Sequence, residues 1–170
     1  MIAEDQTMVR QALVALLEME DDITVVAQAA SGDEAVAMAH RYQPDVALLD
    51  IEMPGGDGLE VARRLGKEGF AGKIVIVTTF GRPGYLAAAM AAGASGFLLK
   101  DAPAAELAKA IRRVHAGERV VDPALAAAAL AEGASPLTPR ETEVLSAAIQ
   151  KLGARNRAEA VQIAERKGWL

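Results

Sequence analysis

Through the first ~115 residues of this 170-residue chain, short β-branched apolar runs alternate with longer segments of helical periodicity, the signature of βαβ units on a parallel sheet. Candidate strands are Ile23–Gln28, Asp45–Leu49, Lys73–Val77 and Ser95–Leu99. The helices between them run over Thr7–Met19, Ser31–Tyr42, Asp57–Lys67, Arg82–Ala92 and Pro103–Ala116. Local chemistry supports these boundaries: Ser31 and Glu34 have capping-box spacing, and Gly93 and Gly117 stand where C′ glycines end helices. The first strand is short. Only Met1, Ile2 and Ala3 precede an acidic pair, where a buried central strand has about five residues, so the natural chain is expected to begin earlier, or to hold residues missing from this sequence.

Residues 117–136 read as a linker. It holds an Ala-rich helix, Asp122–Ala131, which opens on Asp-Pro as a cap and first-turn pair and is broken by Glu132–Pro136. Thr138-Pro139-Arg140-Glu141 is a further capping box, Val144, Leu145, Ala148, Ile149 and Leu152 supply one apolar stripe, and a last helix spans about Arg157–Lys167. The chain has no Cys and only two His, His40 and His115, which excludes a disulfide scaffold, a Cys-ligated metal and a His-rich metal site. No run approaches the ~18 apolar residues of a membrane span and the start carries acids, so a soluble cytoplasmic protein without membrane insertion is expected. Residues 138–170 carry six bases against four acids, so the net −5 of the whole leaves −7 on the remainder. An acidic body with a mildly basic tail fits a metal- or kinase-facing module joined to something that meets a polyanion.

Chemistry-bearing residues fall at strand C-terminal ends, where open parallel sheets place their ligand crevices. Glu4 and Asp5 follow the first strand, Asp50 ends VALLD, Thr78 ends KIVIV and Lys100 follows GFLL. Three carboxylates brought together repel one another unless a cation joins them, and oxygen-only ligation points to Mg²⁺. A carboxylate beside Mg²⁺, with a hydroxyl and an ammonium converging on it, suits phosphoryl transfer onto Asp50, which a turn-rich loop leaves accessible.

Glu4-Asp5, LLDIEMPGGDGLE (48–60), IVIVTTF (74–80) and GASGFLLKD (93–101) together resemble the receiver domain of bacterial two-component response regulators over residues 1–116. The resemblance implies an α/β, flavodoxin-like (βα)₅ fold with a parallel five-stranded sheet. It also implies Asp50 as phosphoacceptor, Lys100 as phosphate-pairing lysine and Thr78 as switch hydroxyl. Glu4, Asp5, Asp50 and the backbone carbonyl of Glu52 would hold Mg²⁺. Phe97, three residues before the lysine, matches the aromatic switch position; core packing at the sheet edge explains it equally well. Phosphorylation would draw Thr78 inward and open a space for Phe97, reshaping the surface near helix Arg82–Ala92.

Residues 137–170 resemble the LuxR/NarL-type helix-turn-helix domain, an all-α remnant in which LTPRETEVLSAA and KLGARNRAEAVQIAERKGWL are joined directly by Ile149-Gln150. Roughly two dozen residues that carry the reading helix in that family are absent between them. Lys151, Arg155 and Arg157 are candidate DNA-backbone contacts or simply a solvated basic face. AEDQTMVRQAL, DIEMPGGDGLE, TTFGRPGYL and the RKGWL ending look closest to the DesR-like branch, whose members work with a membrane-associated kinase. The expectation is a regulator rather than an enzyme, phosphorylated by a sensor histidine kinase and controlling promoter DNA. The homodimer expected with it would form through helices 7–19 and 103–116, whose apolar stripes are Met8, Leu13, Leu16, Leu17 and Met19, and Leu107, Ile111 and Val114. Two alternatives stand beside it. One is a stand-alone receiver acting by protein contacts. The other is a phosphoaspartyl hydrolase using Glu52 as proton donor, for which 170 residues show no cap domain.

Overall fold

A computed structural model describes residues 1–79, 83–123 and 125–126. The candidate DNA contacts Lys151, Arg155 and Arg157, and the whole segment read as a helix-turn-helix remnant, lie outside the described residues.

The chain runs β1 (Ile2–Ala3), α1 (Thr7–Leu17), β2 (Gln28–Ala29), α2 (Gly32–Tyr42), β3 (Val46–Leu49), α3 (Gly58–Lys67), β4 (Lys73–Thr78), α4 (Pro83–Ala91), β5 (Gly96–Leu99), α5 (Ala104–His115) and β6 (Val120–Val121). All strands pair in parallel, in the order β2-β1-β3-β4-β5-β6. This is the flavodoxin-like receiver architecture, with β3 and β4 central.

Helix α2 starts, and α4 and α5 end, where the sequence placed caps. The Ser31 side chain accepts from the Glu34 amide at 3.3 Å while Glu34 reaches back to the Ala30 amide at 2.8 Å. The Asp57 side chain accepts from the Glu60 amide at 2.7 Å at the start of α3. Past α4, the Ala94 amide bonds the Ala89 carbonyl with Gly93 at φ 91, a geometry open mainly to glycine.

Alternation along the strands divides the core between the two faces of the sheet. Ile2, Leu48, Val75, Val77 and Leu98 pack with Val14 and Leu17 of α1 and with Leu107, Ile111 and Val114 of α5. Ala3, Leu49, Ile74, Ile76 and Phe97 pack with α2, α3 and α4. The apolar stripe of α5 is thus consumed by the core, and the surplus width expected for a dimer surface is not found there. At α1 it is: Met8 is 84% and Leu16 42% exposed on the helix, and Met19, in the turn that follows it, 79%.

Two features depart from the sequence expectation. The predicted strand Ile23–Gln28 shrinks to Gln28–Ala29, because this outermost strand has a partner only in the two residues of β1. The sheet also has six strands rather than five. Gly117, at φ 92, turns the chain back after α5, and Val120–Val121 pair with Gly96–Phe97 inside the segment read as linker. Val120 is buried among the α1–α5 core residues, and Leu125 among those of the opposite face.

Candidate functional site

Parallel register brings the strand ends together. Ala3 lies opposite Leu49, Leu49 opposite Ile76, and Thr78 opposite Leu99, so the residues that follow these strands emerge along one edge. Backbone bonds continue past the ladders, from the Asp50 amide to the Ala3 carbonyl at 2.9 Å and from the Lys100 amide to the Thr78 carbonyl at 2.8 Å. The fold therefore converges Glu4, Asp5, Asp50, Thr78 and Lys100 from four segments distant in sequence.

Carboxylate oxygens of Glu4, Asp5 and Asp50 all lie within 4.8 Å of one another. Glu4 and Asp50 are buried, at 1% and 4% exposure, whereas Asp5 faces solvent. The Lys100 ammonium bridges the buried pair, 2.5 Å from Glu4 Oε2 and 2.9 Å from Asp50 Oδ2. The Ile51 amide donates to Asp50 Oδ1 at 2.8 Å and the Gln6 amide to Glu4 Oε1 at 3.1 Å. Among the described residues, the Lys100 ammonium is the one close partner of Glu4 Oε2. A buried oxygen left in that state, in a set made of carboxylates alone, fits a hard divalent cation such as Mg²⁺.

Desolvation pushes the carboxyl groups of Glu4 and Asp50 above the usual carboxylate range, against the hydrogen bonds from Lys100 that pull them down. Burial works against the Lys100 ammonium as well, but its bonds to Glu4 and Asp50 prevail and hold it above the ordinary lysine value. Two buried carboxyl groups share one ammonium. Folded-state carboxyl groups raised above their unfolded values bind protons more tightly when folded. Their contribution is present in acid, and stability is lost as pH rises through the raised values. Replacing Glu4 by Gln removes one of the two buried charges. Urea unfolding of Glu4→Gln in EDTA at neutral pH is expected to show stability equal to wild type or higher by about 1–2 kcal/mol, and the gain that Mg²⁺ confers on wild type should be lost. A variant stabilised by Mg²⁺ as strongly as wild type would remove Glu4 from the metal set.

Thr78 is buried at the end of β4 and Phe97 is fully buried on β5. Phe97 is not at the sheet edge, since β6 pairs along β5 and sets Val121 opposite it. Its ring belongs to the core of the α2–α4 face. The Glu52 side chain is exposed and stands outside the carboxylate cluster. Two contributors were not legible beforehand. Arg10, one turn into α1, donates to the Glu4 carbonyl at 2.5 Å and so ties the turn carrying the acidic pair to the helix. The Ile51 amide fixes one oxygen of Asp50, and only its position next to a strand-ending aspartate could have signalled it.

Residues 1–112 match the response regulator receiver domain family. The chain is 43% identical to the uncharacterized transcriptional regulatory protein YvfU of Bacillus subtilis, over 99% of this chain and 98% of that protein. It is equally 43% identical to the transcriptional regulatory protein DesR of the same organism, over 99% and 97%. Among solved structures it resembles a LuxR-family DNA-binding response regulator from Staphylococcus aureus, with TM-score 0.65 and 41% identity, over 67% of this chain and 95% of that one. The alignments to YvfU and DesR extend over 196 positions against a chain of 170, leaving at least 26 positions, internal to the match, with no counterpart here. Receiver fold, strand-end carboxylates bridged by a lysine, and full-length similarity to these regulators agree: the chain is a two-component response regulator of the LuxR/NarL family.

Proposed function

We propose that Asp50 accepts a phosphoryl group from a phosphohistidine of a sensor kinase and that the modified receiver associates through α1 to control transcription. The observation that carries this reading is the Asp50 carboxylate itself: Oδ1 is held by the Ile51 amide, and Oδ2 faces the Lys100 ammonium. The oxygen beside Lys100 attacks phosphorus, the phosphorus–nitrogen bond breaks, and the electron pair returns to the donor imidazole. Lys100 then pairs with a phosphoryl oxygen, and the Thr78 hydroxyl serves as a further donor to it. Glu4, Asp5, Asp50 and the backbone carbonyl of Glu52 would hold Mg²⁺, which when bound offsets the charge gathered on the carboxylates and the phosphoryl oxygens.

Exposed Met8 and Leu16 on α1, with Met19 in the turn just after it, supply the apolar surface for a second copy. Sedimentation velocity of wild type is expected to shift from monomer to dimer on treatment with acetyl phosphate and Mg²⁺, while Asp50→Asn stays monomeric; identical sedimentation of the two would overturn the association. A second reading has its own support. The internal positions without counterpart favour a receiver that acts by protein contacts and does not read DNA directly. Phosphorylated dimer that retards no member of a pool of random-sequence duplexes selects this reading, whereas retardation selects DNA binding, with Lys151, Arg155 and Arg157 as the residues to replace.

A further inference from the structure

The loop that follows Asp50 is fastened at both ends. Its start is held where the Ile51 amide meets Asp50 Oδ1, and its end where the Gly58 amide donates to the Ile51 carbonyl at 3.1 Å and Asp57 caps α3. The middle, Pro54-Gly55-Gly56, bears on another element altogether. The amide of Gly32, the first residue of α2, donates to the Pro54 carbonyl at 2.9 Å. A Cβ on Gly32 would lie 2.2 Å from the Gly56 carbonyl oxygen and 2.7 Å from that of Gly55, and these are backbone atoms that no side-chain rotation can clear. Gly55 and Gly56, at φ 69 and 110, hold the loop in a shape that lets it approach so closely.

We infer that Gly32 is a positioning residue of the phosphoryl-accepting site: by admitting the loop apex against the start of α2, it sets the placement of the Ile51–Glu52 backbone and hence the affinity for Mg²⁺. This rests on the reading of the site given above. Any side chain at position 32 pushes the apex outward. The displacement is transmitted to Glu52, which is two residues from Asp50 and whose carbonyl belongs to the proposed metal set. Gly72 provides a matched control. A Cβ there would meet the Pro44 carbonyl oxygen at 2.3 Å, an equally severe clash, but Gly72 precedes β4 and so lies at the opposite end of the sheet.

The test is a calorimetric Mg²⁺ titration of wild type, Gly32→Ala and Gly72→Ala, paired with phosphorylation by acetyl phosphate at graded Mg²⁺ and read as intact mass. Gly32→Ala is expected to need roughly tenfold more Mg²⁺ for half-saturation. The Mg²⁺ needed for half-maximal phosphorylation should rise in step, with the rate at saturating Mg²⁺ restored towards wild type. Gly72→Ala should melt at lower temperature with its Mg²⁺ half-saturation unchanged. An unchanged half-saturation in Gly32→Ala, or an equal shift in both variants, overturns the inference. Should Gly32→Ala not fold, amide exchange in wild type decides: the Gly32 amide should exchange more slowly once Mg²⁺ is added, and an unaltered rate overturns the inference. Wild type that takes up no phosphoryl group would instead overturn the reading of Asp50, while its Mg²⁺ titration still tests Gly32.

Discussion

Asp50→Asn is expected to abolish the mass gain of about 80 Da that wild type shows with acetyl phosphate and Mg²⁺, with residual transfer at least about a hundredfold slower. The substitution preserves shape and volume. Asn can still accept from the Ile51 amide through its carbonyl oxygen, so the backbone around the site keeps its anchor. What changes is the atom beside Lys100. An amide nitrogen carries no nucleophilic lone pair, and its hydrogens face the ammonium instead of attracting it. Because Asp50 is one of two desolvated carboxylates, the variant should also be no less stable than wild type in EDTA, so loss of phosphorylation cannot be assigned to unfolding. An equal mass gain in Asp50→Asn would place the acceptor elsewhere and dissolve the assigned mechanism, though not the fold.

Lys100→Met should have the largest effect on stability. The ammonium is the shared partner of Glu4 and Asp50, and its side chain is itself 8% exposed. Met matches the stem in length and leaves no hole, so the change isolates the charge. Two buried carboxylates would then face each other without a cation, a situation that costs about 3–5 kcal/mol and lowers the melting temperature by roughly 10 °C at neutral pH in EDTA. The pH dependence follows from the direction of the shifts. Both carboxyl groups lie above their unfolded values, so lowering pH through those values protonates them in the folded state first and should recover much of the loss. Lys100 in wild type lies above its ordinary value. Its contribution is therefore complete below the unfolded lysine pKa and fades as pH climbs past it into strong alkali, a fade that the variant should lack. Mg²⁺ should narrow the difference between the two proteins by supplying the missing positive charge. Equal melting of wild type and variant in EDTA at neutral pH would mean that one carboxyl group is already protonated there and that the site is not short of a cation.

Both effects arise from the same arrangement. Under the proposed function the site receives a dianionic phosphoryl group beside a divalent cation, and Lys100, shared by two buried carboxylates, supplies part of the compensating charge. The Arg112 guanidinium, in contrast, bonds Glu20 and Asp22 at 2.6 Å each on an exposed surface. There water does most of the neutralising, and removing the charge should change little.

What the sequence by itself determined was local and periodic. Strand and helix periods, the caps at Ser31 and Asp57 and the C′ glycines Gly93 and Gly117 each depend on a few neighbouring residues, so they are written where they act. The residues gathered at the site were legible for the same reason: in a parallel sheet, following a strand's carboxyl end is enough to place Glu4, Asp50 and Lys100 on one edge. Tertiary structure alone decided what depends on a distant partner. Val120–Val121 became a strand because β5 offered an open edge, and Ile23–Val26 did not because β1 is only two residues long. Phe97 is interior because β6 covers that edge. The same holds for Gly32. Nothing local demands a glycine after a capping serine, and the requirement exists only because a loop more than twenty residues later is pressed against it. Propensity and patterning act through neighbours along the chain, whereas steric exclusion and hydrogen-bond pairing act between whichever segments the fold brings into contact.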